Sequence, residues 1–193
     1  MALHEAKQML DQLYGLCDKI DETPAGIKYQ SDGFTLRKAL YVEMLKYIMY
    51  LSASDGSVAW REANFISELF DVNLTPDEVK DFIRENNIYS VEFERTVPLT
   101  LKSFVKADKM LVSSGVHSDS FASKILVGFY EAVGKEIVLS DMDVAENEKA
   151  DYNIYMRTLK DYLQKELLDH VHKKSPTQNT LKSHYDLLKK TDK

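Results

Sequence analysis

The sequence predicts an all-α protein, a helical bundle of about seven to eight helices arranged as two related halves. Three observations carry that expectation. Gly and Pro are scarce, at 7 and 4 in 193 residues, which favours long helices over a turn-rich sheet. Apolar residues recur at helical spacing in segment after segment. The frame S-D-x-x-V-A-x-x-E occurs twice, at Ser54–Glu62 and Ser140–Glu148, each time after a long apolar segment.

Taken in order, Leu3, Ala6, Leu10, Leu13, Cys17 and Ile20 form the apolar stripe of an amphipathic first helix. Residues 21–33, with Pro24, Gly26 and Asp32-Gly33, read as a loop, so residues 1–33 are set apart as an N-terminal helix and loop. From Phe34 to Ala53, Leu36, Leu40, Met44, Tyr47, Ile48 and Leu51 line one face, and Tyr41, Met49 and Tyr50 widen it; a helix apolar on most sides is a central one. Its tyrosines read as core with a polar tip. Phe65, Ile66, Leu69 and Phe70 complete a short helix after the first frame, and Thr75-Pro76-Asp77-Glu78 is a capping box with Pro at N1 that opens another, ending near Asn86-Asn87.

Residues 88–97 have mixed spacing, a helical turn or an extended connector. Pro98 starts a helix with Leu101, Phe104, Val105, Ala107 and Leu111 inward. After a break at 115–120, where Ser118 or Asp119 can cap, Phe121, Ile125, Leu126, Phe129, Ala132, Val133 and Ile137 repeat the first central helix. The second frame leads into a longer helix with Tyr152, Tyr155, Met156, Leu159, Tyr162, Leu163 and Leu167, running to about His170. The helical domain is thus 34–170, with halves at about 34–87 and 115–170. A basic helix or tail, 171–193, follows with Leu181, Tyr185 and Leu188.

Charge and cysteine content exclude several classes. The chain carries 25 basic and 31 acidic residues, a net −6, which argues against a nucleic-acid surface. From His170 to Lys193 six lysines meet two aspartates, so the tail carries +4 and the remainder −10. Cys17 is the only cysteine, which leaves no disulfide framework and no cysteine-rich zinc site. Acidic and polar residues interrupt the N-terminus from His4 onward, and no apolar run approaches the ~18–20 residues needed to cross a bilayer. The expectation is a cytoplasmic protein without membrane insertion.

In each frame, the aspartate sits in a turn before a helix, where a short carboxylate accepts backbone amides. Val58 and Val144 are positioned as hydrophobic staples, Ala59 and Ala145 fall at the N-cap, and Glu62 and Glu148 fall at N3. A glutamate there reaches back to the N-cap amide and gains about 0.3–1 kcal/mol from the helix dipole. Helix capping alone accounts for the frames, except that Ala is a poor N-cap residue and occupies that place twice.

The apolar helix running into Ala-Ser-Asp-Gly-Ser-Val-x-x-x-Glu, followed by a second copy, resembles the TerB-like family, named for bacterial tellurite-resistance proteins. The resemblance spans roughly residues 34–168 and implies an all-helical protein of two such halves, in a stress- or metal-linked assembly. It also implies that acidic residues of the two turns meet on one face and bind a divalent metal. Carried over by position, it points to Asp55, Glu62, Asp141 and Glu148. The second copy departs by having Met142 in place of Gly and Asp143 one step later.

The candidate ligand group read from the residues is Asp55, Glu62, Asp141, Asp143, Glu146 and Glu148. Clustered carboxylates raise one another's pKa unless a cation neutralises them. Oxygen-only ligands suit Ca²⁺, Mg²⁺ or Mn²⁺ and do not form an EF-hand here, since the central Gly and the twelfth-position Glu are missing. Trp60, the sole tryptophan, has two readings: a ring covering the edge of the core, or an exposed anchor for a protein partner. The five histidines form no ligand set. No nucleophile elbow, phosphate-binding loop or dinucleotide fingerprint occurs, so the expectation is a non-enzymatic protein without an organic cofactor. Its alternative to metal binding is a metal-free protein–protein adaptor.

Overall fold

A computed structural model describes residues 3–26, 33–54, 56–88, 91–115, 121–138 and 146–174, with side chains described up to residue 167 in the last helix. Eight helices lie among these residues: α1 (Leu3–Asp21), α2 (Leu36–Ser52), α3 (Trp60–Phe70), α4 (Pro76–Glu85), α5 (Val91–Arg95), α6 (Leu99–Ser113), α7 (Ala122–Val138) and α8 (Glu146–Lys174). The protein is an all-α bundle, and the described residues contain no strand. The connector at 88–97 contributes a short helical turn, α5. The long last helix continues four residues past His170.

α2 is the central element. Eleven of its seventeen residues are buried, because Leu, Met, Ile and Tyr surround it on most sides. α1, α6, α7 and α8 pack against it. The first helix contributes to the central core: Ala6, Leu13 and Cys17 have no exposed surface and share one apolar cluster with Leu40, Phe104, Phe129 and Leu159.

Aromatic rings form the centre of that core. Tyr47 stacks on Tyr155 at 4.8 Å between ring centroids and meets Tyr130 edge-on at 5.0 Å. Phe93 stacks on Tyr155 at 5.3 Å, and Tyr50 tilts against Phe93 at 5.2 Å. The hydroxyls reach polar partners: Tyr47 Oη donates to the Tyr130 carbonyl at 3.2 Å and Tyr50 Oη to Glu94 Oε1 at 3.1 Å. Gly134 is required beside this cluster. A Cβ there would fall on Tyr47 Oη and lie 2.8 Å from the ring of Tyr152.

Three helix starts are capped by carboxylates from other helices. Asp21 Oδ2, at the end of α1, accepts from the Leu36 amide at 2.9 Å and so caps α2. Asp108, fully buried on α6, accepts from the Ala122 amide at 3.1 Å, the Ser123 amide at 2.9 Å and the Ser123 hydroxyl, and so caps α7. Glu43 on α2 accepts from the Leu99 and Thr100 amides and the Thr100 hydroxyl at the start of α6. Each carboxylate satisfies orphan amides in the positive end of a helix dipole. The pairs Asp21–Leu36 and Asp108–Ser123 have the same separation of 15 residues. The α1–α2 and α6–α7 pairs therefore use one device. Ser118 and Asp119, expected as caps for α7, lie outside the described residues, and Asp108 takes the first two amides of that helix.

Two residues expected inside are at the surface. Leu111, on the same face as Phe104 but in the last turn of α6, is 47% exposed, and Ile125, at the edge of the stripe formed by Leu126, Phe129 and Val133, is 37% exposed.

Candidate functional site

The first frame folds as a turn and helix start. Gly56 has φ +84° and donates its amide to the Ala53 carbonyl at 3.0 Å, a left-handed turn that glycine adopts freely. Val58 is buried, and Ala59 is the N-cap of α3 with no side-chain acceptor to offer. The compensating bond comes from N3: Glu62 Oε2 accepts from the Ala59 amide at 2.7 Å. Thr75 and Glu78 make the full reciprocal box at the start of α4, with 2.8 and 3.3 Å bonds.

Glu62 is only 4% exposed and Glu148 only 3%. Glu62 stands at the third position of α3, Glu148 lies near the described start of α8, and both are engaged by other groups. Two carboxylates buried at matched positions are unusual for residues whose capping role alone could be met at the surface. Glu146, by contrast, is exposed. Asp55, Asp141 and Asp143 lie outside the described residues.

The first frame is bonded to the helix that follows the second. Ser54 Oγ, from the first frame, donates to Asp151 Oδ2 at 2.8 Å, on the helix that the second frame opens. Asp151 is three residues beyond Glu148 and shares its helix face. A cavity of about 380 Å³ lies nearby in the fold, lined by Arg61, Glu62 and Glu68 of α3, Glu136 and Ile137 at the end of α7, and Leu3. α7 is the helix that delivers the second frame. The first frame's helix and the end of the segment leading into the second thus line one cavity.

Ser54, Asp151, Arg61 and Glu136 are site residues that pattern reading passed over. Ser54 is present in the frame itself, and the spacing of Asp151 from Glu148 was a usable signal. Glu136 and Arg61 carried none, because their sharing of one cavity depends on the tertiary placement of α3 and α7. Among the described residues no group of three or more His, Cys, Asp and Glu side chains is placed to hold a metal ion. A complete oxygen ligand set at this place would therefore need Asp55, Asp141 or Asp143.

Trp60 is 64% exposed at the first turn of α3, which corrects the reading of its ring as a cover for the core edge. Its neighbours Ala63 and Ile66 supply the buried face of α3, leaving Trp60 on the outside. Among the described residues no helix is long and apolar enough to cross a membrane.

Compared with family models, curated proteins and solved structures, the chain matches none.

Proposed function

We propose that this chain is a non-enzymatic, TerB-like helical module that binds a divalent cation, Ca²⁺, Mg²⁺ or Mn²⁺, between its two acidic turns, within a stress- or metal-linked bacterial protein assembly. The observation that carries the reading is the Ser54–Asp151 hydrogen bond, which holds the first frame against the helix of the second. Matched burial of Glu62 and Glu148 supports it, since carboxylates withdrawn from water gain most from a cation. Asp55, Asp141 and Asp143 are the remaining ligands in this reading.

Calorimetric titration of chelator-treated protein with each cation is expected to show saturable binding, lost in the Asp55→Asn/Asp141→Asn variant. No heat from any of the three cations, with both proteins folded, would return the acids to helix capping.

A second reading is favoured by the exposure of Trp60: a metal-free adaptor that engages a protein through the outer face of α3. Trp is enriched among residues that carry interface energy. Trp60→Ala is expected to change stability by no more than about 0.5 kcal/mol, because the ring covers little of the core. The fluorescence of this sole tryptophan should be open to quenching by iodide. A large loss of stability, or a shielded ring, would remove Trp60 from the list of partner anchors.

A further inference from the structure

The outer face of α3 carries more than its tryptophan. Trp60, Asn64 and Glu68 are all exposed and stand at i, i+4 and i+8, so they form one stripe about 12 Å long. Asn64 and Glu68 also line the cavity of about 380 Å³ that α3 shares with the end of α7 and the start of α1. The open indole ring therefore stands one turn from the edge of a concave surface.

The lining of that cavity defines what it fits. Its charges are Glu62, Glu68 and Glu136 against Arg61, three carboxylates to one guanidinium and a local −2. Pairing among these four groups leaves that sum unchanged. The lysines next along the chain from the lining are committed elsewhere, Lys7 to Asp71 at 3.0 Å and Lys135 to Glu131 at 2.8 Å. Leu3 and Phe65 add apolar wall that the core covers only in part. Such a surface is complementary to a side chain with a long apolar stem and a cationic head. Arginine supplies both, since its methylenes cover apolar wall and its guanidinium donates a fork of N–H groups to carboxylates. Its plane also stacks on an indole face.

We infer, on the adaptor reading of Trp60, that the outer face of α3 docks an arginine-bearing segment of a protein partner. One guanidinium enters the cavity beside Glu68 and Glu136, and a second lies on the ring of Trp60.

The test titrates the full chain with the capped peptide acetyl-Arg-Gly-Arg-amide and with its citrulline counterpart, which is neutral and nearly the same shape. NMR reads the Trp60 indole and the amides of α3 and the end of α7. The expected result is saturable millimolar binding of the arginine peptide, with shifts at Trp60, Asn64, Glu68 and Glu136, and binding of the citrulline peptide weaker by about fivefold or more. Glu68→Gln with Glu136→Gln should weaken the arginine peptide by a similar factor, and Trp60→Ala by about two- to fivefold. Equal binding of the two peptides, a measurement on the native chain that stands however the variants fold, would overturn the inference. Shifts centred on another surface, or undiminished binding by the glutamine variant, would do the same. So would shifts at these residues on concentrating the peptide-free protein, since the occupant would then be a second copy. Absence of saturable binding, with iodide still reaching Trp60, would remove the basic partner and leave the adaptor reading standing; a shielded ring would remove both.

Discussion

Tyr155→Ala is expected to lower the free energy of unfolding by about 3–5 kcal/mol, the range for removing a large buried ring. A domain of this kind is held by about 5–15 kcal/mol in all, so the variant should lie close to unfolding at ambient temperature. Tyr155 is 2% exposed and its ring meets four others, from Tyr47, Tyr50, Phe93 and Tyr130. These rings come from α2, α5, α7 and α8. Burial also holds the Tyr155 hydroxyl well above its ordinary range, so its ionisation plays no part in this. Tyr155→Phe keeps the ring stack and should cost about 1 kcal/mol or less. Urea unfolding of the three proteins side by side decides the matter: equal losses in both variants would mean that the hydroxyl, and not the ring packing, holds the centre.

The second large effect is at Asp108. Asp108→Ala leaves two amides and a hydroxyl at the start of α7 without their acceptor, and is expected to cost about 1–3 kcal/mol. Asp108→Asn keeps the shape and one acceptor oxygen, so it should lose less. The pH dependence has a definite sign. Desolvation holds the Asp108 carboxyl above its ordinary 3.8, outweighing the bonds from Ser123 and Ala122 and the charge of Lys124, which all act to lower it. A carboxylate with a raised folded pKa binds protons more readily in the native state. Its contribution is therefore largest below the unfolded value and declines as pH rises through the folded one. The stability gap between the wild type and Asp108→Asn should narrow as pH is raised from about 4 toward neutrality. Asp21 and Glu43, raised mainly by burial too, have the same sign, while Glu131, lowered by Lys135 and Lys160, has the opposite one. A gap that widens with pH would mean that Asp108 is held chiefly by charge and not by burial.

The helix start of the first frame could be read from spacing alone, and what packs around it could not. Glu62 at N3 of α3 followed from the frame because N3 of a helix is a local position, defined by three residues on either side. Ala59 at the N-cap followed for the same reason. That both glutamates are buried did not follow, since burial depends on what packs over the helix start. Ser54 meeting Asp151, 97 residues away, is a contact no local rule reaches. Trp60 shows the limit from the other side. Its place in the first turn of α3 was legible, but its exposure was settled by Ala63 and Ile66 turning that helix inward.

By itself the sequence determined that this protein is helical, where its described helices lie within a few residues, and that the first acidic frame opens a helix. Those properties depend on periodicity, propensity and caps within a turn or two of chain, which are written locally. Only the tertiary structure decided that α1 joins the core, that four rings converge on Tyr155, and that Asp21, Glu43 and Asp108 cap helices other than their own. It also decided that Leu111 and Ile125 face out. The physical reason is common to all four. A helix presents a continuous surface, and its period says which residues share a face. Which neighbour meets that face, and where it stops, depends on side chains distant in sequence that pack against it.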